Sequence, residues 1–130
     1  MLLDTHFAMW LAIDPEQLTA GERALLGSSE NRAMISAVSM WELRLKWESF
    51  YVSGDRKGRA SPRHVLDVLS RSGDFDFLPL APADAAAELK TPILHRDPFD
   101  QLLLTQAQEQ GLRLLTRDRQ LARHPMAMTG

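Results

Sequence analysis

The chain contains no cysteine, which excludes a disulfide framework, a thiolate zinc site and a cysteine nucleophile. Lysine is scarce. Lys46, Lys57 and Lys90 are the only three, and none falls at the end of a predicted strand. That argues against an enzyme with an aspartate nucleophile steadied by lysine, such as a phosphatase. No apolar run approaches the roughly 20 residues needed to span a bilayer. Asp4 interrupts the apolar opening MLLDTHFAMW, and no basic region precedes it, so the opening does not read as a secretory signal. The expectation is a soluble, cytoplasmic protein with no membrane partner. There is no glycine-rich phosphate loop and no Gly-x-Ser-x-Gly elbow. His6, His64, His95 and His124 are scattered without the i, i+4 spacing of a zinc helix, although His6 and His95 neighbour acidic residues. A strong positive charge is missing too. The formal net charge is −2, whereas nucleic-acid-binding domains are often basic. The balance is uneven, however. Arg44, Lys46, Arg56, Lys57, Arg59 and Arg63 crowd one stretch, opposed by Glu48 and Asp55. A carboxylate-rich site lowers the net charge of a protein that still carries a basic rim able to grip RNA phosphates. A solvated loop and helix face accounts for the same stretch equally well.

What is present reads as one domain spanning 1–130, with short apolar strands alternating with helices. Met1 to Leu3 predicts a buried strand and Phe7 to Ile13 a helix stopped by Asp14-Pro15. Thr19 and Glu22 form a capping box for a helix ending near Gly27. Arg32 to Ser36 predicts a second strand. Ser36 to Phe50 predicts a helix apolar on two adjoining stripes, Met40, Leu43, Trp47 and Val38, Trp41, Leu45, and therefore wedged between layers. Ser61-Pro62 opens a helix to about Ser72, ended by Gly73. Phe75 to Leu80 predicts a third strand, Pro82 to about Lys90 a helix, and Pro98 to Gln110 another, ended by Gly111. Leu112 to Leu115 predicts a fourth strand, followed by a short helix to about Arg123, and Met126 to Met128 a marginal fifth strand. Continuous rather than alternating apolar strands indicate a parallel α/β sandwich covered on both faces.

Four acids stand out by position. Asp4 ends the first strand, Glu42 lies in the helix after the second, and Asp118 follows the fourth. Asp100 opens a helix that runs back toward the fourth strand. In an open parallel sheet these places share one edge, where ligands bind. Crowded carboxylates repel one another, and a hard divalent cation relieves that cost. Each acid also has a local explanation. Asp4 stands where a helix begins, Asp97 and Asp100 open a helix at Pro98, Glu42 follows Ser39 by three, and Asp118 fits a helix first turn.

Four stretches carry a family resemblance: Leu2-Leu3-Asp4-Thr5-His6, Ser36 through Leu43, His95 through Leu103, and Leu114-Leu115-Thr116-Arg117-Asp118. In order and spacing the chain resembles the PIN domain, and within it the ribonuclease toxins of VapBC-type toxin–antitoxin modules. The resemblance implies a three-layer sandwich with a five-stranded parallel sheet and Mg²⁺- or Mn²⁺-dependent cleavage of RNA. It assigns Asp4, Glu42, Asp100 and Asp118 to an acidic metal site, with Asp4 and Asp100 as direct ligands. Glu42 and Asp118 would complete the shell, bind a second ion or orient the attacking water. Thr5 and Thr116 would support, Thr116 by fixing a water or a neighbouring carboxylate. Asp97 reads as a helix cap before it reads as a ligand. A cognate antitoxin, an RNA substrate and a homodimer are the implied partners. The alternatives are another metal-dependent phosphohydrolase and a non-catalytic module that keeps the fold.

Overall fold

The structure, a computed structural model, describes residues 1–94 and 97–130. His95 and Arg96, one of them a histidine singled out above, lie outside the described residues. Five strands among the described residues form one sheet: β1 (Leu2–Leu3), β2 (Ala33–Ser36), β3 (Phe75–Leu78), β4 (Leu114–Leu115) and β5 (Ala127–Met128). All pairings are parallel and the order is β3-β2-β1-β4-β5. Among the described residues six α-helices surround them: α1 (Thr5–Ile13), α2 (Ala20–Gly27), α3 (Ala37–Trp47), α4 (Pro62–Ser72), α5 (Pro82–Ala86) and α6 (Pro98–Gln110). A 3₁₀ turn over Pro15–Gln17 follows α1.

The register explains the apolar runs. Leu2 pairs with Met34 and Leu114, and Leu3 with Leu115. Successive side chains leave opposite faces. Leu3, Ile35 and Leu115 therefore enter one core with Phe7 of α1, Leu43 of α3 and Val65 and Leu69 of α4. Leu2, Leu78 and Leu114 enter the other with Leu103, Leu104 and Ala107 of α6. Strands β1 and β4 are two residues long, so their ladder is small. A net backbone hydrogen bond contributes about 1 kcal/mol, whereas truncating a fully buried leucine costs about 2–5 kcal/mol. Packing of these leucines, more than the ladder, fixes the ends of β1 and β4 against each other.

Several predicted helix boundaries hold. Thr19 and Glu22 make the reciprocal capping box of α2. Ser61 caps α4, and Gly73 and Gly111 end α4 and α6 with left-handed backbone at φ 69° and 66°. Three expectations change. Helix α3 is wedged through Val38 on one core and Leu43 on the other, yet Trp41 and Leu45 of its second stripe stay exposed at 49% and 36%. Helix α5 stops at Ala86, four residues short of Lys90. The following backbone is taken instead by Gln108, which accepts from the Lys90 N–H and donates to the Glu88 carbonyl, and by His124 on the Thr91 carbonyl. The helix expected after Asp118 is a run of turns.

Candidate active site

The strand order places a switch point at the centre of the sheet. From β1 the chain moves outward through β2 to β3, then returns to the other side of β1 as β4 and β5. Ligands of open α/β sheets sit beyond the carboxyl ends of the strands flanking such a point. Here those strands are β1 and β4, and the residues leaving them are Asp4-Thr5 and Thr116-Arg117-Asp118.

These residues are joined. The backbone N–H of Asp4 donates to the Leu115 carbonyl at 3.0 Å. The Thr116 hydroxyl donates to Asp4 Oδ2 at 2.7 Å and accepts the Asp118 N–H at 3.0 Å. Thr116 thus holds a neighbouring carboxylate, one of the two duties expected of it. Asp4 occupies the N-cap position of α1, but its side chain makes no capping bond there. Capping therefore does not account for a carboxylate that is only 6% exposed. Burial pushes the Asp4 carboxyl above the ordinary value of 3.8, the Thr116 hydroxyl, the charge of His6 and the Thr5 N–H oppose that, and the charge of Glu42 adds to it.

Glu42 enters from α3. The Thr5 hydroxyl donates to its Oε1 at 2.7 Å and shares a 3.1 Å hydrogen bond with the buried Ser39 hydroxyl. Lys46 Nζ lies 3.3 Å from its Oε2. Sequence spacing suggested Ser39 as a cap for α3, but Ser36 does the capping, through the Val38 N–H. Ser39 instead lines the path between Thr5 and Glu42. A lysine absent from every strand end thus reaches the acids from the helix, one turn after Glu42.

Asp100 is buried in the first turn of α6. Six residues later on that helix, Gln106 accepts from the Ser36 hydroxyl at the end of β2 and donates to the Pro79 carbonyl after β3. Six residues of helix rise about 9 Å, which carries Asp100 past the carboxyl ends of the strands. Asp97 caps α6, accepting from the N–H groups of Phe99 at 2.9 Å and Asp100 at 3.2 Å. Asp118 is half-buried and also has local work: its Oδ1 accepts the Gln120 N–H at 2.8 Å.

A cleft of about 290 Å³ opens between Asp4, His6, Phe7, Trp10, Arg117 and Asp118. Arg117, passed over between two site residues, is the one whose importance only the fold reveals. It grips both oxygens of Glu22, donates to the Gln17 carbonyl and stacks 4.3 Å from the Trp10 ring centroid. That ties the loop carrying Thr116 and Asp118 to α1 and α2. A sequence signal existed only in part, since Glu22 already had a complete local explanation as a capping residue.

The predicted basic rim separates. Lys46, Lys57 and Arg59 line a second cleft of about 310 Å³ beside Thr5 and His6. Arg44 pairs with Glu48, and together with Arg63 it borders a groove at Trp41. Arg56 donates to the Trp47 carbonyl at 2.5 Å.

Among the described residues, no three His, Asp or Glu side chains are gathered tightly enough to enclose a metal ion by themselves. The donor set suits a different arrangement. Mg²⁺ and Mn²⁺ prefer oxygen, and Mg²⁺ is commonly held by one or two carboxylates with waters and substrate phosphate completing the sphere. A buried carboxylate whose proton affinity is raised by its surroundings gains most from such a cation.

Comparison with known proteins identifies the family and the fold. The PIN domain family model matches residues 1–125. The chain is 30% identical to Ribonuclease VapC22 of Mycobacterium tuberculosis over 133 aligned positions, covering 99% of this chain and 96% of the relative. Its fold superposes on the crystal structure of VapBC2 from Rickettsia felis bound to a DNA fragment from their promoter, with a TM-score of 0.66, 16% identity and coverage of 99% of this chain and 96% of that one. By sequence motifs, sheet order and family match, the chain belongs to the PIN domain family, in its VapC branch.

Proposed function

We propose that the protein is a Mg²⁺- or Mn²⁺-dependent endoribonuclease, the toxin of a VapBC-type toxin–antitoxin pair. The observation that carries this is Asp4: a buried carboxylate at the sheet's switch point that caps nothing, makes no ion pair among the described residues, and is aimed by a threonine hydroxyl. The name of the relative, a ribonuclease, supports the substrate class. In this reading Asp4 and Asp100 hold the ion and Asp118 and Glu42 complete its surroundings. When bound, such an ion offsets the crowded carboxylate charge, draws in the substrate phosphate and makes water a better nucleophile near neutral pH. Thr116 keeps Asp4 pointed into the cleft, and Thr5 with Lys46 keeps Glu42 fixed. Asp97 serves the helix rather than the ion.

The partners follow the same reading. The structural relative is a VapBC assembly, which supports a cognate antitoxin. The exposed Trp41 and Leu45 on α3 supply apolar surface for an antitoxin or for a second copy in a homodimer. No helix among the described residues is long and apolar enough to cross a membrane, in keeping with work in the cytoplasm.

The test is cleavage of RNA by purified protein with Mg²⁺ or Mn²⁺, against chelator. The wild type cuts only with metal, and Asp4→Asn and Asp100→Asn lose at least about 100-fold in rate while melting normally. Undiminished cutting by both variants would sink the assignment.

A further inference from the structure

The sequence holds a single tyrosine, and the fold leaves it outside the core. Phe50, Tyr51 and Val52 stand in a row at 52%, 57% and 110% exposure. They ride on a tight hairpin over residues 49–57. Its backbone is closed by Tyr51 N–H to the Asp55 carbonyl at 2.8 Å, Gly54 N–H to the Tyr51 carbonyl at 2.9 Å, and Lys57 N–H to the Ser49 carbonyl at 2.8 Å. Arg56 pins it to the end of α3, stacked 4.3 Å from the Trp47 ring centroid and 4.8 Å from that of Phe50. The returning strand passes so close to α3 that a Cβ at Gly58 would meet the Trp47 Cα at 2.8 Å. The apolar tip is thus presented by a fixed scaffold.

Its position matters more than its exposure. Tyr51 and Lys57 line the same cleft as Thr5, His6 and Lys46. Thr5 is bonded to Glu42, and His6 also lines the cleft of Asp4 and Asp118. His6 thus lines both clefts. Several cations of this stretch have other duties: Arg44 on Glu48, Lys46 on Glu42, Arg56 on the Trp47 carbonyl, Arg59 on Asp14. Lys57 is different, its ammonium lying 5.5 Å from the centroid of the exposed Tyr51 ring.

We infer that this hairpin is a single-strand RNA subsite of the cleavage centre, in which Tyr51 stacks an unpaired base and Lys57 receives the adjoining phosphate. The inference rests on the ribonuclease reading and specifies which form of RNA the centre accepts. A flat ring beside an ammonium matches the alternation of base and phosphate along a single strand, and the stacked bases of a duplex offer no free face to it. Beside its apolar residues Met9 and Leu43 the cleft is lined by Lys46, Lys57 and Arg59, and three cations with no carboxylate in the lining favour a polyanion over a protein segment.

The test uses fluorescence anisotropy of the full chain in EDTA, with a labelled ten-nucleotide RNA of mixed sequence, as single strand and as duplex. The wild type prefers the single strand. Tyr51→Ala weakens single-strand binding about tenfold, within a range of roughly 5- to 150-fold, and barely alters duplex binding. Tyr51→Trp keeps the preference. Lys57→Gln lowers the slope of log affinity against log salt by about 0.7, the value for one single-strand phosphate contact. A Tyr51→Ala protein with wild-type affinity overturns the subsite. So does one whose RNA affinity is intact but which loses a self-associated species in sedimentation velocity, because the face then joins two copies of the chain. Wild-type protein that cuts no RNA with either metal overturns the ribonuclease reading itself, whereas one that cuts RNA while Tyr51→Ala binds unchanged removes only the subsite.

Discussion

Asp4 and Glu22 are both nearly inaccessible carboxylates in the first residues of helices, and their surroundings drive them in opposite directions. Glu22 is held below the usual carboxylate range, first by hydrogen bonds from Arg117, with burial opposing. Asp4 is held above it, because burial outweighs what the Thr116 hydroxyl and the charge of His6 return. Glu22 is satisfied two ways, by Arg117 and by the Thr19 N–H of its capping box. A carboxylate so satisfied has little to gain from a ligand. One that is buried, aimed and under-compensated has much to gain from a cation. The contrast separates an acid that builds the fold from one that awaits chemistry, although both would score alike as buried acids at a helix start.

The largest effects come from exchanging those roles by mutation. Asp4→Asn should abolish cleavage while leaving the protein as stable as wild type or more so, by on the order of 1 kcal/mol, because a strained charge is removed. Glu22→Gln should do the reverse. It breaks a pair whose acid is 3% exposed but whose Arg117 is 36% exposed. Loss of a fully buried partner costs about 3–5 kcal/mol; solvent around Arg117 lowers the expectation to about 2 kcal/mol. Cleavage measured well below its melting temperature should stay within roughly tenfold of wild type. Thermal melts and rate assays on the two variants decide it. A Glu22→Gln protein as dead as Asp4→Asn, yet fully stable, would erase the distinction.

Acidity sharpens it further. With its pKa depressed, Glu22 contributes stability above the ordinary value of 4.5, and that contribution disappears as pH falls through the lower folded value. Asp4 works the other way. With its pKa raised, the folded state binds its proton more tightly, so its contribution is greatest below 3.8 and is lost as pH rises through the raised value. In chelator, Asp4→Asn should therefore match wild type in acid and exceed it near neutrality. Glu22→Gln should instead flatten the decline in acid. Divalent metal should close the neutral gap by stabilising wild type alone through mass action. Denaturant melts across pH 3 to 8 with and without Mg²⁺ read all three.

Much of this arrangement was legible in the sequence. Local physics was sufficient where an element is specified by its own residues: the Thr19–Glu22 box, Ser61-Pro62, and the glycines after α4 and α6 all mark their helices. Strand-end position put Asp4 and Asp118 at neighbouring strands, where Thr116 bonds both. Legibility failed where a distant partner competes with local preference. Gln108 and His124 capture the backbone after Ala86 and end α5 early. Ser39, a plausible cap by spacing, faces Thr5 instead. Arg117 was invisible because its partner Glu22 lies 95 residues away and already had a local role. Tyr51 carried no signal either, since a lone aromatic in a loop shows neither periodicity nor a motif.

The smallest expected effect isolates the hydroxyl that distinguishes the two acids. Thr116 is fully buried, donates to Asp4 and accepts from the Asp118 N–H. Thr116→Val keeps the shape and removes both bonds. A net hydrogen bond contributes about 1 kcal/mol, and a buried group left unpaired costs about 1–3 kcal/mol. Relaxation toward the open cleft puts the stability loss near the lower end, about 1 kcal/mol. The functional consequence has a direction of its own. The hydroxyl is the foremost influence lowering the Asp4 pKa, so its removal lets burial raise that pKa further, and the acid limb of the rate profile should move to higher pH. Thr116→Ser keeps the hydroxyl and should restore the limb even if packing of the lost methyl lowers stability. A Val variant with an unshifted limb would mean that Asp4 is oriented by packing alone, and the hydroxyl would then be a structural bond like those around Glu22.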